Sequence, residues 1–139
     1  MRGVYIFKQQ DREYDIKKPD SIGLFSYNID SHNCQRFAAS ATQPLNEGDF
    51  EKFGGPLGQI PYRCILPVRE EATNLLVPVP LSATHLGYGT LRLEPQYMII
   101  GESAGVAISM AWRQGIAVQD VDVAALQDRL RAIGLKIDL

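Results

Sequence analysis

No run of about 18 apolar residues, the length a helix needs to cross a bilayer, occurs anywhere in the chain, so no membrane partner is expected. Histidine and cysteine are scarce. Cys34 and Cys64 lie far apart with no C-x-x-C spacing, and His32 and His85 do not cluster, which argues against a zinc site or a disulfide framework. Two buried free thiols and no bound metal are expected instead. Basic excess is missing too, with 14 Lys and Arg against 16 Asp and Glu, so no nucleic-acid surface is expected. The opening residues, MRGVYIFKQQDREYD, lack the apolar stretch of a signal peptide. A soluble chain is expected, and its 139 residues suffice for one modest core.

What is present reads as short strands followed by helices. Gly3 to Gln9 alternates like a strand and leads to a polar turn through Lys17-Lys18-Pro19-Asp20. Part of the stretch from Ser21 reads as a second strand. Thr42 to Leu57, rich in Gly, Pro, Asn and Glu, reads as a long surface loop. IPYRCILPV, residues 60–68, reads as a third strand. NLLVPVP, residues 74–80, has strand length, but Pro78 and Pro80 donate no ladder bonds, so its far end must lie at an edge or leave the sheet. Near the end, Asp122 can cap a helix carrying Leu126, Leu130 and Ile133, with Gly134 as its stop.

Residues 101–105, GESAG, match the G-x-S-x-G nucleophile elbow of serine hydrolases. The match fails in context. Glu94-Pro95 opens a helix well and Gly115 closes one, and no proline interrupts QYMIIGESAGVAISMAWRQ between them. Its apolar character nearly all round predicts a buried helix. In that helix Gly101, Gly105 and Ser109 form a small-residue groove flanked by Ala104, Ala107 and Ala111. Ser103 then bonds back to a helix carbonyl. Both histidines precede Ser103, whereas the hydrolase order places the histidine last.

Several spaced motifs occur in order: Asn74 to Val77, Ser82-Ala83-Thr84-His85, Gly89-Thr90-Leu91-Arg92, Pro95, Met98, Gly101, Ala104-Gly105 and Ala107. Together they resemble the C-terminal cofactor segment of FAD-dependent oxidoreductases of the glutathione-reductase-like superfamily, many of which carry the label xanthan lyase. Upstream, DSIGLFSYNIDSH (residues 20–32) and IPYRCILP (residues 60–67) are similar to the substrate-side strands of that family, so the likeness covers nearly the whole chain.

The resemblance implies an α+β fragment of an α/β flavoprotein. A β-rich substrate-side portion would span residues 1–73, and a C-terminal piece of the FAD-binding domain, made of a strand, a flavin loop and two helices, residues 74–139. Ser82, Ala83 and Thr84 of the loop 82–92, with main-chain donors at Pro95, Gln96, Tyr97 and Met98, would face the flavin, where a helix N-terminus favours negative charge. His85 and Arg92 would face the substrate, the first exchanging a proton and the second anchoring an oxygen. In the alternative reading His85 bonds a loop carbonyl and Arg92 pairs with Glu94 or Glu102. Tyr27, Asp30 and His32 form a further polar group, with a structural role in turning their strand.

One departure from the family is large. No G-x-G-x-x-G turn for the ADP half of FAD occurs, and Gly54-Gly55-Pro56-Leu57-Gly58 carries a proline and no following helix. The chain is therefore expected to need an N-terminal Rossmann portion of the same enzyme as partner, and to hold FAD weakly and be inactive alone. A non-catalytic module that self-associates through an exposed apolar groove is the second reading, and a serine hydrolase the third.

Overall fold

The first half of the chain is organised by one long antiparallel ribbon, described with all of residues 1–139 in a computed structural model. Its outgoing side consists of β1 (Ser21–Phe25), β2 (Ile29–Ser31) and β3 (Gln35–Ala38). The returning side consists of β4 (Pro44–Glu47), β5 (Phe50–Lys52) and β6 (Gly58–Pro61). The pairs nest, β1 with β6, β2 with β5 and β3 with β4, so three two-stranded pieces follow one another from base to tip. Burial falls along the same line. β1 and β6 are largely buried, whereas every residue of β3, β4 and β5 is exposed. At the base, Phe25 lies over Gly58, where a Cβ would fall 2.3 Å from the ring. At the tip, Phe37 opposes Leu45, and Arg36 Nε donates to its cross-strand partner Asn46 Oδ1 at 2.8 Å.

Residues 42–57 are therefore not a plain loop, because β4 and β5 lie within them. Three other expectations also need correction. Gly3 to Gln9 makes only isolated bridges, Gly3 with Pro67 and Phe7 with Ala83, and Gln9 already opens the helix α1 (Gln9–Glu13). Asp11 stops the strand reading there, since its carboxylate accepts the Lys8 N–H at 2.6 Å. In residues 60–68 the strand ends at Pro61, and Tyr62–Ile65 forms a 3-10 turn. Two side-chain bonds hold that turn: Tyr62 Oη donates to Val118 O at 2.9 Å and Asp20 Oδ2 accepts the Arg63 N–H at 3.0 Å. Residues 74–80 form no strand; the Val77 N–H reaches Ile65 O at 2.9 Å, but the prolines beyond it cannot extend a ladder.

Three further helices complete an α+β fold: α2 (His85–Leu91), α3 (Glu94–Gln114) and α4 (Val123–Ala132). Asp122 caps α4 by accepting the Ala124 and Ala125 N–H groups, and Gly134 follows at φ +90°. Leu93 is the N-cap of α3, which places Pro95 at its second position, and Gly115 ends it at φ +65°. One apolar core draws on both halves of the chain, including Phe7, Ile22, Phe25, Tyr62, Ile100 and Leu126. Phe7 and Phe25 meet edge to face, 5.5 Å between centroids.

α3 is not buried all round. Gln96, Ile100, Ser103, Ala104, Ala107, Met110 and Ala111 recur at helical spacing and face the core. The opposite side is bare, with Met98 73% and Trp112 82% exposed. Cys64 is buried as expected and burial drives its thiol pKa upward, but Cys34 is exposed. No helix is long and apolar enough to cross a membrane.

Candidate functional site

The stretch 82–92 is not an open loop. Thr84 adopts an extended N-cap conformation and its hydroxyl accepts the Gly87 N–H at 3.2 Å, which starts α2. Main-chain bonds fix the segment before it on both sides: Ser82 N–H to Cys64 O at 2.8 Å, Phe7 N–H to Ser82 O at 2.9 Å, and Thr84 N–H to Phe7 O at 2.8 Å. The helix then presses its two glycines against other backbones. A Cβ at Gly87 would fall 2.4 Å from Phe7 O, and one at Gly89 2.9 Å from Asp30 O. No larger residue allows that approach.

A polar cluster locks the far end of α2 to β2. Thr90 Oγ1 donates to Tyr27 O at 2.5 Å, and the Arg12 Nε–H reaches both Tyr27 O and Thr90 Oγ1. Arg92 donates from Nη2 to Asp30 Oδ2 at 2.5 Å and from Nε to Asp30 O at 2.9 Å. Its partner is thus Asp30, not Glu94 or Glu102. Tyr27 Oη also donates to Asp30 Oδ2, at 3.1 Å, and that bond raises the Tyr27 pKa. Tyr27 precedes β2, so strand alternation does not turn its side chain away from Asp30.

The start of α3 stands at the surface beside this assembly. Glu94, Pro95 and Met98 are exposed, and Tyr97 is half-buried. Tyr97 Oη meets Tyr88 Oη at 2.5 Å, clamping α2 to α3; burial first, and the Tyr88 bond second, raises the Tyr97 pKa. Of the expected main-chain donors, Pro95 has no N–H and Tyr97 N–H is taken by Leu93 O at 3.1 Å. Met98 lies past the first four N–H groups. Gln96 differs from them. It is 8% exposed, its N–H has no main-chain acceptor, and its Oε1 is buried without a hydrogen-bond partner.

Ser82 and Ala83 are half-buried, while Thr84 and His85 are exposed. The His85 side chain makes no hydrogen bond within the chain, so the loop carbonyl expected for it is not used. His85 and Arg92, seven positions apart, fall on one side of the helix roughly 10 Å apart along its axis. Ser103 is fully buried in α3, and its Oγ donates to Ile22 O of β1 at 2.7 Å rather than to its own helix. With no histidine beside it and no turn around it, GESAG is not an elbow.

Gly101 and Gly105 do lie on one side of α3, but it is the bare side; nothing lies within 4 Å of a Cβ built at either. No group of three His, Cys, Asp or Glu side chains is arranged to hold a metal.

A family model described as FAD dependent oxidoreductase matches residues 1–130. The chain belongs to the FAD-dependent oxidoreductase family. No curated protein and no solved structure matches it. FAD is accordingly the cofactor of the complete enzyme, and the chemistry is oxidoreduction. Residues missed in the sequence are those that seat α2: Arg12, Thr90, and Asp30 as the partner of Arg92. The one available signal was the Gly87-Tyr88-Gly89 spacing, which a helix tolerates only when something presses close.

Proposed function

We propose that this chain forms the flavin-ring side of an FAD-dependent oxidoreductase of the glutathione-reductase-like type, together with part of its substrate pocket. The reading rests on Gln96. A buried amide oxygen and a main-chain N–H, both without partners at the exposed start of a long helix, suit a ring edge that carries an N–H beside carbonyl oxygens. Ser82, Ala83 and Thr84, fixed by the main-chain bonds around Phe7, would support the same ring. The ADP half finds no such fit. Every strand pair is antiparallel, and no glycine-rich turn joins a strand to a helix, so an N-terminal Rossmann portion would hold that half.

Bound FAD would supply a two-electron acceptor. His85, exposed and without a partner, would take the proton from a substrate hydroxyl or amine at a ring nitrogen. Arg92, held by Asp30 through Nε and Nη2, keeps Nη1 to orient the substrate oxygen. The bare side of α3, with open positions at Gly101 and Gly105, is the surface on which the Rossmann portion would dock. Co-expression with that portion should give yellow, FAD-loaded protein. A colourless complex would overturn the reading.

A second reading draws on the same bare side: exposed Met98 and Trp112 would bring two copies of the chain together without catalysis. Light scattering separates the two, since a monomer at high concentration removes the second.

A further inference from the structure

The least expected charge in the molecule is Arg12. Its side chain is only 2% exposed, yet no carboxylate pairs with it. Nε donates to Tyr27 O and Thr90 Oγ1, and Nη2 donates to Gly54 O; Nη1 makes no hydrogen bond within the chain. Buried guanidinium groups stay charged, and burial without a counter-ion is costly. Burial indeed draws the Arg12 pKa below its ordinary value, with Glu13 opposing.

The loop that covers this cation is shaped around it. Gly55 lies at φ +124°, and a Cβ there would fall 1.6 Å from Nη1. Between α1 and residues 52–56 is a cleft of about 240 Å³, lined by Arg12, Glu13, Tyr14, Lys52, Phe53 and Gly55. That volume is below the usual range for drug-sized ligands, so the occupant is small. Lys52 Nζ is paired with Glu13, which also accepts from Gln9 Nε2 at 2.9 Å. Two cations and one carboxylate leave a single positive charge. Exposed Tyr14 and Phe53 add aromatic surface at the mouth.

We propose that this cleft binds a small monocarboxylate with an apolar or aromatic body, anchored on Arg12 Nη1. One carboxylate balances the surplus charge and supplies the missing acceptor, whereas a phosphate dianion would overshoot it. The cleft opens between α1 and the ribbon, and its occupancy requires neither flavin nor a second polypeptide.

Titration of the 139-residue chain with sodium benzoate, followed by NMR, should give saturable shifts at the Phe53, Gly54 and Gly55 amides. Sodium phosphate should bind more weakly. R12Q should lose about tenfold or more in benzoate affinity, the worth of a charge-assisted bond. K52Q, at an exposed position the core does not use, should weaken benzoate while leaving the fold intact. Absence of saturable shifts, phosphate binding tighter than benzoate, or R12Q binding as the parent does would each overturn the proposal. Should R12Q fail to fold, K52Q decides, and unchanged benzoate affinity in that variant would reject the site.

Discussion

Arg92 holds Asp30 at two points, the carboxylate at 2.5 Å from Nη2 and the main-chain carbonyl at 2.9 Å from Nε. One side chain thereby fixes both the position of β2 and the end of α2, just before α3 begins. Lysine keeps the charge but offers no planar fork. R92K is expected to lose about 1–3 kcal/mol of stability in urea unfolding, the worth of a charge-assisted pair with limited exposure. Parent-like stability would mean that the contact carries no weight.

The four glycines of α2 and α3 should divide by their surroundings. Alanine at Gly87 or Gly89 drives a methyl group into Phe7 O or Asp30 O, and each change should destabilise by about 1–3 kcal/mol. Alanine at Gly101 or Gly105 meets nothing, so each should stabilise the chain by about 0.5–1 kcal/mol through helix propensity. Thermal unfolding of the four variants measures both signs. In a complex with the proposed Rossmann partner, the second pair should weaken docking.

Removing the Ser103 hydroxyl takes a buried hydrogen bond from Ile22 O. S103A should therefore cost about 1–3 kcal/mol, read by denaturant unfolding. A fluorophosphonate probe should not label the native chain, and labelling at Ser103 would restore the hydrolase reading.

Alkaline pH should destabilise the fold. Tyr62, through burial, and Tyr97, through burial and its bond to Tyr88, hold their protons more tightly when folded. For Lys18, burial lowers the pKa, but hydrogen bonds to Asp11 and Asp15 outweigh it and the net direction is upward. The ordinary values are 10.0 for tyrosine and 10.5 for lysine. Above them the native state binds more protons than the unfolded chain, so unfolding free energy falls as pH rises. This stability is complete below the ordinary values and lost as pH climbs through the raised ones. Y62F should flatten that slope and, by losing the bond to Val118 O, cost roughly 1 kcal/mol at neutral pH. A slope identical to the parent's would refute the assignment.

The helices α3 and α4 were legible because their ends are written in local residues, Pro95 and Gly115 for one, Asp122 and Gly134 for the other. The β-rich half was not. Pro44 to Lys52 is polar and carries no clear alternation, since its strands are exposed and their register comes from the ribbon's buried base. Arg92 posed a related problem, with its expected acidic partners close in sequence and its actual one 62 positions away. The spacing of Gly101, Gly105 and Ser109 shows the small-residue groove but not which way it faces: the alanines line the interior and the glycines the outside. The helix start points to Gln96 through its main chain, whereas its unpartnered side chain follows only from burial.

The ribbon implies a gradient of resistance to force. The rungs of β3 and β4 lean mainly on one another, whereas β2 is tied to α2 through Asp30 and Arg92; the outermost rung, Ala38 opposite Pro44, leans on little else. Tension applied across those two residues should unzip the arm from its free end inward, and the interior should feel the load once the separation reaches β2 and β5, where Ile29 is buried and Arg92 holds Asp30.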